Sequence, residues 1–341
     1  MSELVEHLAE LTGFRDRDVL DVTLAGAFRD LLRPRSVAIY RVVGDGHKQH
    51  WLTRARLGEG DAVATADPVW VDLDTLPELS AHPERCQALT GQTVITAAGD
   101  AGLGVFPLAT DREVVGVLEL VTDAELDAEA QRMVCSILRV YRNFQGLLDY
   151  SERDTLTGLL NRKTFDESFL KISSTLAAPA SSHDARRLAG PGSRYWLGMI
   201  DIDHFKTVND TYGHLIGDEV LLLLSRLMRS SFRFNDRLYR FGGEEFVVLM
   251  RCDNETDAQS AFERLRRNTL AYTFPQVGNI TVSVGFSELK PSDSPSAAIE
   301  RADKAVYYAK THGRNQVQSH AALVARGELQ VLDKTGDVEL F

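Results

Sequence analysis

Two pairs of acidic residues have the type and spacing to share a metal ion. Asp201 and Asp203 lie at the end of a predicted apolar strand, residues 195–202, and because alternate strand residues face the same side, both should lie on one face of the sheet. Glu244 and Glu245 follow a Gly-Gly pair, which predicts a two-residue hairpin turn with room for a substrate against the backbone. Carboxylate oxygens are the ligands that Mg²⁺ prefers, and the ion keeps positions open for substrate phosphates. Strand alternation also predicts that the two glutamates do not face the same point.

Two cations further along the chain could bind phosphate. Lys310 falls in the last turn of a predicted helix, and Arg314 directly follows Gly313, the glycine expected to cap that helix. A cation at this end of a helix is often only a favourable partner for the helix dipole. Beside a predicted metal site, the same pair could also hold a nucleotide's triphosphate. The residues by themselves leave both interpretations open.

These side chains must be positioned by elements in the order βαββαβ. That order predicts a ferredoxin-like sheet, the core of polymerase palms and nucleotide cyclases. The predicted elements are a strand at 195–202, helices to about residue 231, strands at 237–241 and 245–250, a helix at 256–270, a strand at 278–287, and a last helix from the Ser294 N-cap to Gly313. A surface loop rich in Ala, Ser, Gly and Pro is expected before the first strand and includes residues 186–193.

The residues before about 123 predict a separate α/β unit of the size of a sensory domain. A helix should end where Pro34 interrupts it. The β-rich runs that follow are 36–43, 51–56, 104–108 and 113–121, with turns expected at Gly44-Asp45-Gly46 and Asp111-Arg112. The fold class is therefore α/β (α+β) with two domains, which the length of 341 residues also favours.

Between the two domains, apolar residues step by four and three like the a and d positions of a coiled coil. The residues concerned are Leu126, Ala130, Met133, Ile137, Val140, Phe144 and Leu147. About three heptads is the lower limit for a coiled coil, so two hypotheses remain. The helix is either a parallel dimer stalk that carries a signal or an amphipathic helix that lies on the sensory sheet.

Composition excludes several functional classes. The net charge of −11 argues against nucleic acid as a partner. The three cysteines, Cys86, Cys135 and Cys252, form no CxxC pair, which argues against a zinc site or a disulfide framework. Acidic residues interrupt the first helix, and no apolar run approaches the ~18 residues that cross a membrane, so we expect no signal peptide, no membrane contact and a cytoplasmic protein.

Five motifs in order resemble those of the GGDEF-domain diguanylate cyclases. They are 154–162 (DTLTGLLNR), 201–218 (DIDHFKTVNDTYGHLIGD), 240–246 (RFGGEEF), 280–285 (ITVSVG) and 302–315 (ADKAVYYAKTHGRN). The resemblance covers about residues 150–318. A lone GGEEF could arise by chance, whereas five ordered motifs within one domain are very unlikely to do so.

The resemblance implies a role for each matching position. Asp201, Glu244 and the backbone carbonyl of Ile202 match the metal ligands, for Mg²⁺ with Mn²⁺ as the alternative, and Glu245 matches a further acidic position important for activity. The implied substrate-binding residues are His204, Phe205 and Lys206 around the terminal phosphates, Asn209 and Asp218 at the guanine edge, Gly242 beside the substrate, and the cations Lys310 and Arg314. Many family members have Asp where this chain has Glu244, which keeps the carboxylate and adds one methylene.

The implied reaction condenses two GTP into cyclic di-GMP and two pyrophosphates in a homodimer whose half-sites face each other. Arg233 and Asp236 form an Arg-x-x-Asp motif where the family places a product-inhibition site, although such a pair can also be a plain surface salt bridge. A catalytically inactive module that binds GTP or cyclic di-GMP is the alternative function, and a cyclase with another product is a third. The retained GGEEF, Asp201, Asn209 and Asp218 favour an active, guanine-specific enzyme.

The first domain resembles a GAF sensory domain more weakly, with PAS as the alternative. The likeness depends on the order of elements and on the run 104–121, which is similar to the last two core strands of that fold. The expected organisation is a GAF-like domain at 1–123 with an unknown ligand or partner, a connecting signalling helix at 124–152, a GGDEF domain at 153–318 and a tail at 319–341.

Overall fold

The computed structural model describes residues 2–13, 17–44, 48–67, 71–97, 101–110, 114–177 and 194–330. These residues belong to two compact units, Met1–Ser151 and Glu152–Phe341. The predicted turn at Asp111-Arg112, most of the turn at residues 44–46, the loop at 186–193 and the end of the tail lie outside the described residues. Along the described chain, no helix is both long and apolar enough to span a bilayer.

The first unit is built on an antiparallel sheet of five strands in the order β2-β1-β5-β4-β3. The strands are β1 (Ser36–Val43), β2 (His50–Gly58), β3 (Ile95–Ala97), β4 (Gly102–Ala109) and β5 (Val114–Thr122). The strands predicted at 36–43, 51–56, 104–108 and 113–121 correspond to β1, β2, β4 and β5, and β1 pairs with β2 as expected. Each β-rich run is apolar on alternate residues or throughout, which buries it against helices.

Helices cover both faces of this sheet. They are α1 (Ser2–Gly13), α2 (Arg17–Leu32), α3 (Pro83–Gly91) and α4 (Ala128–Glu152). One core joins α1, α2 and α4 to the strand residues on one face, such as Ile39 and Leu118. A second core joins α3, through Ala88, to residues of the opposite face, such as Tyr40 and Val117. The predicted helix end before Pro34 is also found, because α2 stops at Leu32.

The buried face of α4 differs from the predicted heptad seam. Its buried residues are Val134, Ile137, Tyr141, Gln145 and Leu148. Of the predicted seam residues only Ile137 belongs to that set, and Leu147 is 67% exposed. Because α4 buries this face in the core of the first unit, the structure favours the hypothesis of an amphipathic helix on the sensory sheet. Pairing of α4 with a second copy stays a prediction.

The second unit contains a six-stranded sheet in the order β13-β12-β7-β9-β8-β6. Its strands are β6 (Leu160–Asn161), β7 (Arg194–Ile202), β8 (Arg237–Gly242), β9 (Glu245–Cys252), β12 (Val282–Glu288) and β13 (Val317–Ser319), and β10 (Thr273–Phe274) with β11 (Gly278–Asn279) forms a separate hairpin. The central order β12-β7-β9-β8 is the ferredoxin-like arrangement that the βαββαβ order predicts. The strand predicted at 278–287 is divided, since Gly278 pairs back with Phe274 whereas Val282 pairs with β7.

Helices pack on both sides of this sheet, and the site residues of β7 and β9 lie at the same end of these two neighbouring central strands. They are α5 (Arg162–Ala177), α6 (Phe205–Tyr212), α7 (His214–Ser231), α8 (Glu255–Ala271), α9 (Pro295–Thr311) and α10 (His320–Ala325). Ser294 caps α9 by accepting a hydrogen bond from the Ala297 backbone N–H. α9 lies so close to β12 that a side chain at Gly285 would meet backbone atoms of Ala302 and Val306 at 2.3 Å. This close packing fixes the end of α9 next to the ends of β12 and β7.

Candidate active site

The sheet brings Asp201 next to the double-glycine hairpin. Asp201 on β7 pairs directly with Glu245, the first residue of β9. Gly242 pairs with Glu245 across the hairpin, so the two-residue turn consists of Gly243 and Glu244. The expectation of a Gly242-Gly243 turn was wrong by one residue, because a bulge between Arg240 and Gly242 shifts the register of β8. Gly243, with φ +50°, supplies the left-handed conformation that the turn needs.

The shifted turn releases Glu244 from strand alternation. Glu244 occupies the turn itself, and Glu245 begins the strand beside Asp201. Partial burial raises the pKa of both glutamates, and the negative charge of Asp201 raises the pKa of each further. Both side chains therefore lie within electrostatic reach of Asp201. Because Glu244 lies in the turn and Glu245 in the strand, strand alternation does not determine how their side chains face relative to each other, and the prediction that they face different points stays a prediction.

Lys310 directly contacts the central carboxylate. Its Nζ lies 2.6 Å from Asp201 Oδ2, at the end of α9. Asp201 is only 6% exposed, and burial raises its pKa although the Lys310 ammonium opposes that shift. The other carboxylate oxygen, Oδ1, is buried without a hydrogen-bond partner. A buried carboxylate oxygen without a donor is costly, and such groups in native proteins commonly mark an ion or catalytic site.

The available donors fit a hard divalent cation. Asp201 Oδ1 and the Glu244 carboxylate are oxygen ligands of the kind that Mg²⁺ prefers, and Ile202 could add a backbone carbonyl. Among the described residues, no group of three or more His, Cys, Asp or Glu side chains is preformed as a metal site. A magnesium site that draws on two carboxylates, backbone and substrate phosphates does not require such a group. Asp203 does not belong to the donor set, because hydrogen bonds occupy both its oxygens.

The predicted phosphate-binding residues lie beside this centre. His204 caps α6 in the left-handed conformation (φ 59°), Phe205 is buried, and Lys206 is exposed. The first N–H groups of α6 have no partners within the helix and can bind an anion. Arg314 is exposed just beyond α9, in a turn that continues from Gly313. Lys310, which contacts Asp201, connects this turn to the carboxylates.

The two predicted guanine-reading residues lie on neighbouring helices. Asn209 is on α6 and Asp218 on α7. The Asn209 side chain lies against Gly217, so that a Cβ there would meet Asn209 Oδ1 at 1.9 Å. The helix pair therefore places Asn209 beside the residue that precedes Asp218. The sequence interpretation did not single out Gly217, whose lack of a side chain makes room for Asn209, although it lies within the quoted motif.

The Arg-x-x-Asp motif forms a compact turn just before β8. The Arg233 backbone N–H donates to Asp236 Oδ2 at 2.8 Å, which leaves the exposed Arg233 guanidinium outside that bond. Burial raises the pKa of Asp236 to about 6, against the opposing effects of the Arg233 N–H and the nearby Arg233 and Arg264 charges. Arg264 on α8 was not identified from the sequence. Its charge lies within electrostatic range of Asp236.

Two further residues that the sequence interpretation left without a role hold the hairpin turn. Arg240 donates to the Gly243 carbonyl at 3.1 and 2.9 Å and pairs with Asp154 at 3.1 Å. Asp154 in turn accepts hydrogen bonds from the backbone and side chain of Thr157. Both residues lie within quoted motifs, but their pairing across 86 positions is visible only in the fold. Asp303 on α9 was also missed, and its charge raises the pKa of Asp201 and of Glu245.

Comparison with known proteins finds similarity over the part of the chain that carries this site. The family model for "Diguanylate cyclase, GGDEF domain" matches residues 151–316. The chain is 39% identical to diguanylate cyclase DgcZ of Escherichia coli K12 over 170 residues, 49% of this chain and 52% of that protein. It is 36% identical to the response regulator PleD of Caulobacter vibrioides over 189 residues, 53% of this chain and 38% of that protein. The chain thus spans about half or less of the length of these relatives.

Solved structures also match about half of the chain. The GGDEF domain of DgcB from Caulobacter crescentus, in complex with c-di-GMP, is 32% identical with a TM-score of 0.43, covering 50% of this chain and 96% of that one. The active GGEEF domain of a diguanylate cyclase from Vibrio cholerae is 30% identical with a TM-score of 0.41, covering 48% and 97%.

Proposed function

We propose that the GGDEF domain formed by residues 151–316 is an active diguanylate cyclase that condenses two GTP into cyclic di-GMP. The observation that supports activity most directly is the buried Asp201, which has one oxygen on Lys310 and the other without a partner. Together with Glu244 in the adjacent turn, that oxygen offers ligands for Mg²⁺, with Mn²⁺ as a possible substitute.

In the proposed reaction, the 3′-hydroxyl of one GTP attacks the α-phosphate of the other, and pyrophosphate leaves. Because the phosphates are strongly charged, catalysis consists mainly of positioning and charge neutralisation. The N–H groups at His204, Phe205 and Lys206 hold the terminal phosphates, and Lys310 and Arg314 neutralise them. Asp201, Glu244 and the Ile202 carbonyl would hold the cation, which when bound polarises phosphate oxygens and favours deprotonation of the hydroxyl.

Glu245 is proposed to assist the reaction as an acidic group next to Asp201. Its raised pKa, caused by burial and by the Asp201 charge, makes its carboxylate a better proton acceptor than a solvated glutamate. Asn209 and Asp218 are proposed to read the guanine edge, with Gly242 providing open backbone beside the nucleotide. A purine edge with fixed donors and acceptors requires such placed partners for discrimination.

Regulation is proposed at three levels. Each chain would hold one GTP, so the active form is a homodimer in which two half-sites face each other. Product would bind at Arg233 and Asp236 and inhibit. The first unit, whose sheet is covered by helices on both faces, is proposed to be a GAF-like sensory domain that acts through α4.

Purified protein incubated with GTP and Mg²⁺ should yield cyclic di-GMP and pyrophosphate, resolved by chromatography. Asp201→Ala and Glu244→Ala should each lower the rate by about 100-fold or more, since each removes a cation ligand at the charged centre. Asp166→Ala, which alters an exposed aspartate on α5, is the matched control and should retain activity. Full activity in either site variant would contradict the metal assignment, and absence of product from the wild-type protein would contradict the proposed function.

A further inference from the structure

Asp203 is a buried carboxylate whose two oxygens are both occupied by hydrogen bonds within the protein. It is 5% exposed. Its Oδ1 accepts from Ser283 Oγ at 2.7 Å, and its Oδ2 accepts from Thr281 Oγ1 at 2.6 Å and from the Asn315 backbone N–H at 3.0 Å. Its own backbone N–H donates to the Thr281 carbonyl at 2.9 Å. The residue is therefore anchored to the Thr281–Ser283 segment through both side chain and backbone.

Two backbone segments in costly conformations meet at this carboxylate. His204, the next residue in the chain, has φ 59°, and Arg314 and Asn315 have φ 60° and 45° after Gly313 at 111°. Non-glycine residues in this region persist only where the surrounding structure holds them. Asp203 is joined to the first segment covalently and to the second by the bond from the Asn315 N–H. Arg266 adds a second restraint by donating to Asn315 Oδ1 at 2.9 Å.

Both segments carry groups assigned above to the triphosphate. The first presents the N–H groups of residues 204–206, and the second presents the Arg314 side chain. Within the second turn, the N–H groups of Arg314 and Asn315 already donate to the Ala309 carbonyl and to Asp203, so this turn contacts a triphosphate through the Arg314 side chain. The separation between the two segments thus determines whether one triphosphate can contact both at once, and a misplacement of about 1 Å at such a site can cost 100-fold.

We propose that Asp203 is a positioning residue that fixes the His204–Lys206 turn and the Gly313–Asn315 turn relative to each other, and so sets triphosphate affinity. This inference rests on the proposed function for the identity of the ligand, but it concerns binding and not turnover. It assigns Asp203 no contact with substrate or cation. A merely structural role would lower stability and weaken all ligands alike, whereas positioning of the two turns should weaken the triphosphate selectively.

The test compares ligands with and without phosphates, using compounds that cannot react because they lack the attacking hydroxyl. Dissociation constants for 3′-deoxy-GTP and 3′-deoxyguanosine, with Mg²⁺ present, are measured by calorimetry on the full chain. Asp203→Asn keeps the size of the side chain but replaces one acceptor with a donor. It should weaken 3′-deoxy-GTP by about 10- to 100-fold and leave 3′-deoxyguanosine within about twofold, as expected for lost charge-assisted contacts.

The control is Ser283→Ala, which removes one hydrogen bond to the same carboxylate but leaves the bond from Asn315 in place. Its affinity for 3′-deoxy-GTP should stay within about threefold of wild type. If Asp203→Asn does not fold, the double variant Thr281→Val, Ser283→Ala decides instead, because it removes both side-chain donors that orient the carboxylate and leaves the Asn315 N–H as its remaining donor. In that double variant, the triphosphate-selective loss should appear again.

A double-mutant cycle that combines Asp203→Asn with Arg314→Ala tests whether Asp203 acts through the Gly313–Asn315 turn. In that background the Asp203→Asn loss should shrink, because the cation that the turn presents is already absent. Equal weakening of both ligands, or an undiminished loss in the cycle, would overturn the inference. A wild-type protein that binds 3′-deoxy-GTP but forms no cyclic di-GMP would refute the proposed function alone, and failure of the wild type to bind 3′-deoxy-GTP would overturn both.

Discussion

Replacing Gly217 by alanine offers a direct test of how guanine is read. Gly217 lies in the first turn of α7, and the side chain of Asn209 occupies the space where its Cβ would be. The added carbon would meet Asn209 Oδ1 at 1.9 Å and Cγ at 3.1 Å, with Phe205 Cζ at 3.4 Å. Phe205 is buried and cannot retreat freely, so the substitution must displace the Asn209 side chain or the two helices.

Two opposing contributions determine the effect on stability, and a third determines the effect on kcat/KM. A helical Gly→Ala change by itself stabilises by about 0.5–1 kcal/mol. Overpacking at a tight site costs about 1–3 kcal/mol, so the net change in the free energy of unfolding should be modest. If Asn209 rotates away to relieve the clash, the contact with guanine is lost, which costs about 1–3 kcal/mol and corresponds to roughly a 5- to 150-fold lower kcat/KM for GTP.

The assay is the initial rate of cyclic di-GMP formation, with kcat/KM for GTP and the preference for GTP over ATP measured in each variant. Gly26→Ala is a matched control, because Gly26 is also helical but a Cβ there would meet nothing within 4 Å. In an Asn209→Ala background, Gly217→Ala should lose most of its effect, because the clash partner is gone. Wild-type kcat/KM and base preference in Gly217→Ala would refute the idea that a precisely placed Asn209 reads guanine.

The remaining predictions concern the Arg-x-x-Asp turn. Arg233→Ala should raise the inhibition constant for cyclic di-GMP by about tenfold or more, because a guanidinium is lost from an anionic ligand; unchanged inhibition in initial-rate assays would show that the site is not used. Burial raises the pKa of Asp236 to about 6 from 3.8, so the folded protein binds more protons than the unfolded chain between these values, and wild-type stability should fall as pH rises through that window. The free energy of unfolding, measured in urea at pH 4 and at pH 7, should fall between these pH values by up to about 3 kcal/mol more in the wild type than in Asp236→Asn. Equal falls in the two proteins would contradict this prediction.

The sequence predicts the palm sheet well because its strands are buried and strongly patterned. The alternation of Val282, Val284 and Phe286 along β12 predicts which of its residues join the core, and the continuous apolar run of β7 before Asp201 predicts the strand that carries the central carboxylate. The position of the hairpin turn could not be predicted in the same way. It depends on a bulge between Arg240 and Gly242, and nothing in Arg-Phe-Gly-Gly-Glu-Glu specifies which residue is left unpaired.

The face of α4 shows a different limit. Steps of three and four fit two adjacent stripes of one helix, so periodicity alone does not identify the buried stripe. In the structure, the stripe through Tyr141 and Gln145 is buried because its polar atoms find partners. Tyr141 donates to Asp21 and accepts from Arg41 at 2.5 Å and from Gln145 at 2.8 Å. Asp21 lies 120 positions away from Tyr141, and local sequence gives no sign of that pairing.

Asp201 and Asp203 show why residue type alone cannot assign chemistry. The two carboxylates are two residues apart and similarly buried, at 6% and 5% exposed. Asp203 receives three donors and has no oxygen left for a cation, whereas Asp201 has one lysine and one oxygen without a partner. Because an unsatisfied buried oxygen is costly and a satisfied one is rigid, the first suits an ion and the second suits the positioning of backbone. The count of donors around each side chain therefore distinguishes a ligand from an anchor within the same Asp-Ile-Asp motif.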